Sequence, residues 1–276
     1  MTTQVYYLPK SLSEATSILA DSAPDLLVIA GGTLAMPLIN EGISMPERVL
    51  GLKKAGLNYM ERSNGQLKIG AMRTLSQMAL QTEVPILAVA AEAVGGWAIR
   101  NMGTVGGNLF APPPSGDYAT ALLALDAHLK LVRKGGERVL PLERFYKGFM
   151  ANDLAPEELL AEIQINVPRG KTAYLKYGRR HANTPSIVAV AAVLEFNGQE
   201  VKAARLALNG AGSHPVRAKS AEEFLVGKIL TTATMSEAGE IAGIDSEPFT
   251  DAVASEWYRR KMIPVIVRRT LEQIAH

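Results

Sequence analysis

Two glycine segments constrain this chain of 276 residues more than any other feature. The first, Ala30, Gly31, Gly32, Thr33 and Leu34, ends an apolar run over residues 25–30 that reads as a buried strand. The second, Gly103, Thr104, Val105, Gly106, Gly107 and Asn108, lies in residues 99–117, where all hydrophobic periodicity breaks. Glycine lets a backbone approach a ligand closely, and successive N–H groups beyond a strand form an anion-binding concavity. Taken singly, each segment reads as a tight turn. Neither fits the G-x-G-x-x-G dinucleotide pattern or the P-loop, which needs Lys after its last glycine. Two such turns in one domain, each beside a buried element, predict one long ligand with a diphosphate, a dinucleotide held outside a Rossmann fold. Asp117 follows at the end of the same loop. It is placed to accept hydrogen bonds from ribose or ribityl hydroxyls, or simply to cap a helix over 118–127.

The chain contains no cysteine and only four histidines. Disulfides, thiolate nucleophiles, cysteine-type zinc sites and cysteine-held iron–sulfur clusters are therefore excluded within it. The histidines do not pair at metal-ligand spacing, so no metal site and no catalytic side chain is assigned. Chemistry, if present, has to come from a bound organic cofactor. Lys and Arg number 29 against 27 acidic residues, a formal +2 spread along the chain, which speaks against nucleic acid as a partner. No apolar stretch approaches the ~20 residues needed to span a bilayer. The first ten residues lack a basic start followed by an apolar core, so a cytoplasmic location is expected.

At about 150 residues per domain the length predicts two units, with the linker at residues 168–171. The reading is α+β. In the first unit Ser11 and Glu14 frame a capping box, and Thr33 opens a short helix through Leu38. Asn64 and Gly65 turn a hairpin, Thr74 and Gln77 form a second capping box, and residues 85–98 make a buried helix. A further hairpin turns at Gly135 and Gly136, and residues 159–167 close the unit. Beyond the linker, residues 174–178, 187–196 and 202–209 read as three strands, with a turn at Asn197 and Gly198. Helices follow over 221–227, 234–242 and 250–274, the last interrupted near Pro264.

Ala30 to Thr33 with Pro37 beyond, residues 99–108, Pro114 to Asp117 and residues 121–127 together resemble the FAD-binding medium subunit of molybdenum hydroxylases, the xanthine dehydrogenase and carbon monoxide dehydrogenase family. Related segments fall at residues 158–163, at 174–176 and in the terminal stretch Trp257 to Arg260 with Arg268 and Arg269. The resemblance implies a flavin domain of the vanillyl-alcohol-oxidase (PCMH) type over 1–170. It also implies a smaller domain over 174–276 with a three-stranded sheet and helices. Cofactor contacts are implied at Ala30, Gly31, Gly32, Thr33, Leu34, Thr104, Val105, Gly106, Gly107, Asn108, Asp117, Leu160 and Lys176. The two turns would hold the FAD diphosphate and Asp117 the cofactor hydroxyls, while Leu160 and Lys176 would lie near the isoalloxazine. A lysine beside that ring would stabilise its reduced, anionic form; the plain alternative is a solvated strand lysine. Leu34 stands where relatives often carry a polar or acidic residue.

The same resemblance implies an electron-transfer role. A molybdopterin cofactor on a large subunit and [2Fe–2S] centres on a small subunit would feed FAD here, for delivery to an acceptor of unknown kind. A self-contained FAD oxidoreductase and a non-catalytic assembly protein are the competing readings. The basic residues from Tyr258 to Lys261 and at Arg268 and Arg269 read as the solvated side of an amphipathic helix. The loop of Phe110 and Pro112 to Pro114 reads as a stiff apolar element beside the flavin or a partner, and Trp97 as core.

Overall fold

The computed structural model describes residues 3–22 and 26–275. Asp25, the expected first residue of a strand, lies outside the described residues, as do Met1, Thr2 and His276. The chain opens with β1 (Val5–Tyr7), α1 (Leu12–Ser22), β2 (Leu26–Ile29), α2 (Ala35–Asn40) and β3 (Arg48–Gly51). β3 lies between β1 and β2 in a parallel three-stranded sheet. Parallel neighbours need a crossover, and α2 supplies it between β2 and β3. α1 starts as its sequence predicts: the Glu14 N–H donates to Ser11 Oγ at 3.1 Å. The Glu14 carboxylate reaches back to the Lys10 N–H at 2.7 Å, one residue earlier than the ideal box.

A second sheet has the order β4-β5-β10-β6-β7, all neighbours antiparallel. Its strands are β4 (Met60–Ser63), β5 (Gln66–Gly70), β6 (His128–Arg133), β7 (Gly136–Pro141) and β10 (Leu159–Asn166), and the small hairpin of β8 (Tyr146–Gly148) and β9 (Ala151–Asn152) stands apart. Asn64 and Gly65 both take positive φ, 51° and 77°, as a two-residue hairpin turn demands. Between β5 and β6 run α3 (Leu75–Ala79), α4 (Pro85–Ala93), α5 (Trp97–Met102), α6 (Val105–Asn108) and α7 (Asp117–Ala124), and α8 (Leu142–Phe145) follows β7. The capping box at Thr74 and Gln77 is complete.

The C-terminal unit is an antiparallel sheet of β11 (Lys171–Gly178), β12 (Ser186–Asn197), β13 (Glu200–Asn209) and β14 (Val216–Arg217), in that order, with α9 (Lys219–Leu225), α10 (Thr232–Ala242) and α11 (Glu256–Ala275). Both faces of this sheet are covered. Along β12, Val188, Val190, Ala192 and Leu194 join a core with Ile263, Val267 and Leu271 of α11. The alternate residues Ala189, Ala191 and Val193 join the N-terminal core with Leu87 of α4 and Leu122 of α7. Period-two alternation thus serves two cores at once, which is why this strand is apolar at nearly every position. Each fully buried Val or Leu contributes about 1.5–3 kcal/mol, so the sheet is welded to the N-terminal unit rather than tethered to it.

Several local expectations change. The helix over 85–98 breaks after Ala93, because Gly95 takes a φ of 51° and the chain restarts as α5. The Arg100 guanidinium donates to the carbonyls of Glu92, Val94 and Gly95 at 3.0–3.2 Å and satisfies the broken end. α2 starts at Ala35 with no side-chain cap, so Thr33 is left free to face the cleft described below. The turn of the β6–β7 hairpin falls on Lys134 and Gly135, with Gly136 already in the strand, and that of β12–β13 falls on Gly198 and Gln199. A two-residue edge strand makes the C-terminal sheet four-stranded. α11 runs unbroken through Pro264, whose backbone packs against Gly239 of α10, where a Cβ would stand 2.5 Å from the Pro264 carbonyl oxygen. Trp97 is no core residue: it is 75% exposed at the start of α5. Arg259 is no solvated residue either. It is fully buried, donating to both carboxylate oxygens of Asp251 at 2.8 and 2.9 Å and to the carbonyls of Ser186 and Ile187.

Candidate functional site

The two glycine turns touch. A Cβ on Gly31 would overlap the carbonyl oxygen of Met102, and one on Gly107 would stand 3.8 Å from the Ala30 Cβ. Gly103 lies as close to Thr33, with 3.5 Å from an added Cβ to the hydroxyl. Gly32 has a φ of 77°, a left-handed conformation that favours glycine. The backbone N–H groups of Gly32, Thr33 and Leu34 donate to no acceptor among the described residues. In the second turn the amides are taken. Gly106 donates to Ala71 O at 3.0 Å, Gly107 to Thr104 Oγ1 at 3.0 Å and Asn108 to Thr104 O at 3.0 Å. The first turn therefore offers free donors, and the second offers a surface without side chains on which a phosphate can rest.

Around this contact runs a cleft with two arms that share Thr33, Leu34, Thr104 and Gly107. One arm, about 350 Å³, is largely apolar, with Leu52, Met72, Phe110, Leu159 and Leu160 beside the turns. The other, about 240 Å³, is rich in polar groups: Asn108, Ser115, Asp117, Asn183 and Thr184. Ala30, Gly31, Gly32, Gly106 and Leu160 line the first arm, while Asn108 and Asp117 line the second. Val105 points into the core, fully buried. Lys176 lines neither arm. Leu160 and Asp117, the ion-pair partner of Lys176, line different arms.

Asp117 does not cap α7. Gly116 is the residue at the cap, and the Asp117 side chain turns instead toward the C-terminal unit. It is 2% exposed and accepts from Lys176 Nζ at 2.6 Å, from Asn209 Nδ2 at 3.1 Å and from the Ser186 hydroxyl. Burial pushes its carboxyl above the usual range, and the Lys176 ammonium and these donors pull the other way. Lys176 is 12% exposed and also donates to the Ala93 carbonyl at 2.8 Å, so it is a buried ion-pair partner, not a solvated lysine. Asn209 donates a further bond to Pro114 O at 2.8 Å, tying the proline loop to the same carboxylate. Asn108 accepts the Tyr118 N–H on its Oδ1 at 3.2 Å, which leaves its NH2 group as a donor toward the cleft. Glu158, at the edge of the apolar arm, is gripped by the Arg138 fork at 2.7 and 2.8 Å, which holds its carboxyl below the usual range.

Sequence reasoning missed the part contributed by the second unit: Asn183, Thr184 and Pro185 in the cleft, and Ser186, Asn209 and Arg259 behind it. Nothing local marks them, since they reach the site only through the packing of the C-terminal sheet. Among the described residues there is no group of three His, Asp or Glu suited to a metal ion, and no helix long and apolar enough to cross a membrane. The residues present do fit FAD. Free amides and bare glycine surface meet where a diphosphate would sit, a polar arm offers partners for ribityl hydroxyls, and an apolar arm offers a slot for a flat base.

Comparison with known proteins agrees. Residues 1–169 match the FAD binding domain in molybdopterin dehydrogenase, and residues 173–274 match the CO dehydrogenase flavoprotein C-terminal domain. The glyceraldehyde dehydrogenase medium chain of Sulfolobus acidocaldarius is 29% identical, with 98% of both chains covered. The carbon monoxide dehydrogenase medium chain of Afipia carboxidovorans is 28% identical over 97% of this chain and 95% of its own. A crystal structure of quinoline 2-oxidoreductase from Pseudomonas putida 86 superposes with a TM-score of 0.92 at 30% identity, covering 98% of this chain and 96% of that one. With its touching glycine turns, two-armed cleft and fused C-terminal sheet, the chain belongs to the FAD-binding flavoprotein family of the molybdopterin dehydrogenases.

Proposed function

We propose that the chain is the FAD-carrying, electron-transfer subunit of a heteromeric molybdenum hydroxylase. The observation that carries this reading is the direct contact of the Gly31 and Gly103–Gly107 turns at the junction of the two arms. Residues 1–170 hold the cofactor, and residues 174–276 close the polar arm. When bound, FAD accepts electrons from iron–sulfur centres and returns them to an external acceptor. The ribityl chain needs several hydrogen-bond partners beside the diphosphate, and the polar arm supplies them in Asn108, Ser115, Asp117 and Thr184. Asn108, Ser115, Asp117 and Thr184 would accordingly hold the ribityl and flavin part of the cofactor, and the slot of Leu52, Met72, Leu159 and Leu160 its adenine. Lys176 acts through Asp117: its ammonium opposes the upward push that burial exerts on the carboxyl at the arm's floor. The iron–sulfur centres would be held by a small subunit, since these residues include no cysteine, and the molybdopterin by a large subunit. We place the complex in the cytoplasm.

The test is purification of the full chain with FAD supplied, followed by its visible spectrum. A yellow, stoichiometric complex is expected, and co-purification from the native host should bring chains that carry molybdenum and iron. A colourless chain in excess FAD refutes the reading. A yellow chain that turns over a substrate alone, with no metal-bearing partner, supports the self-contained oxidoreductase instead.

A further inference from the structure

We infer that the face over the mouth of the polar arm docks an acidic redox protein, which is the electron acceptor. This rests on the flavin reading above. The chain has two tryptophans, and both are exposed, Trp97 by 75% and Trp257 by 68%. Each adjoins in sequence a residue packed against the loop joining β11 to β12, residues 179–185, or against its flanks; Asn183, Thr184 and Pro185 of this loop line the polar arm. On one side, Gly96 packs on this loop, with 3.7 Å from an added Cβ to the Asn183 side chain, and Trp97 follows directly. On the other, the first turn of α11 brackets the loop. The Tyr258 hydroxyl bonds that of Tyr177 at 2.9 Å, and Arg259 donates to the carbonyls of Ser186 and Ile187.

Cations predominate around this loop, against one exposed carboxylate without an ion-pair partner among the described residues, Glu92 on the last turn of α4. Arg179, His181 and Lys261 are exposed and have no carboxylate partner among the described residues. Arg180 is exposed and donates only to the Asn183 carbonyl at 3.1 Å. The carboxylates at the start of α11 are already paired, Asp251 with Arg259 and Glu256 with Arg260. Exposed tryptophan and arginine are enriched in interface cores, lysine sits at their rims, and a positive field selects and steers an acidic partner. A contact of this kind is transient and salt-sensitive. The face of α2 differs: Met36, Leu38, Ile43 and Met45 are exposed there, an apolar character that suits a permanent subunit contact. In the reaction, two one-electron acceptor molecules in turn take the two electrons of FADH2, and two protons leave to water.

The test uses the FAD-loaded full chain, reduced anaerobically and mixed with oxidised cytochrome b5, an acidic haem protein, with basic cytochrome c, NAD+ and oxygen as alternatives. Cytochrome b5 is expected to be reduced faster than cytochrome c, with a rate that falls about tenfold as salt rises. The double reversal Arg179→Glu with Lys261→Glu should slow it by about tenfold, and Trp97→Ala with Trp257→Ala by a comparable factor, while reoxidation by neutral oxygen is unchanged. Because both tryptophans lie on this face, cytochrome b5 should also quench the intrinsic fluorescence, in the chain alone and in the native complex. Reduction of cytochrome b5 that ignores salt and the charge reversal overturns the inference. So does preferential reduction of NAD+, or tryptophan emission in the native complex that cytochrome b5 leaves untouched. A chain that takes up no flavin fails earlier and by a different readout, the absence of a visible band, and overturns the reading beneath.

Discussion

Gly106→Ala is the sharpest probe of the two-turn site. A Cβ at this position would stand 2.8 Å from both the Cβ and the carbonyl oxygen of Ala71, against about 3.5–4.0 Å for carbon atoms in contact. Relief requires the turn to move by about 1 Å. That movement also stretches the 3.0 Å bond from the Gly106 N–H to Ala71 O. Overpacking of this size costs about 1–3 kcal/mol. At about 2–4 °C per kcal/mol for chains of this order of length, the apo-protein Tm should fall by about 2–12 °C. If FAD needs the unshifted turn, its binding must overcome the same strain, a loss of about 5- to 150-fold in affinity. Gly116→Ala is the control, because its added Cβ meets nothing closer than 3.8 Å and its φ of −77° suits any residue. Scanning fluorimetry and flavin-fluorescence titration read the two effects. A Gly106→Ala chain that folds and binds FAD as tightly as the unchanged protein would show that the glycine turns are not the diphosphate seat.

Three further outcomes follow from the buried charges. Lys176→Met strands the Asp117 carboxyl at 2% exposure and should cost about 3–5 kcal/mol at neutral pH. A carboxyl whose folded pKa is raised favours folding at low pH and loses that contribution as pH climbs through the raised value, so the deficit should shrink as the pH of a urea titration is lowered. Glu158 has the opposite sign. Its folded pKa is lowered from an ordinary 4.5 by the Arg138 fork, so its contribution is present above that value and lost as pH falls through the depressed one; Glu158→Gln should flatten this acid limb in a pH–Tm profile. Arg259→Met removes the partner of Asp251 and two carbonyl contacts at once, and should lower stability by about 3 kcal/mol or more in denaturant titration, with β12 losing amide protection first. An Arg259→Met chain as stable as its parent contradicts that account.

Much of this protein is legible along the chain because local rules act locally. The Asn64–Gly65 hairpin and the Thr74–Gln77 cap need only nearby residues, and two glycine turns in one unit were enough to point to a diphosphate. What the chain could not disclose is which separated residues meet. Asp117 reads as a partner for sugar hydroxyls or as a helix cap, since aspartate before a helix serves as either. Only the C-terminal sheet, packed on α4 and α7, brings Lys176, Ser186 and Asn209 against it and makes it a buried, charge-paired anchor. Trp97 reads as core and stands in solvent because Gly95 breaks the helix that would have buried it. Arg259 reads as solvated and is buried because Asp251 and two strand carbonyls pair its two terminal NH2 groups. Propensity and capping are fixed by neighbours a few residues away, whereas burial and charge pairing are set by contacts across the fold, and those exist only once β12 has joined two cores.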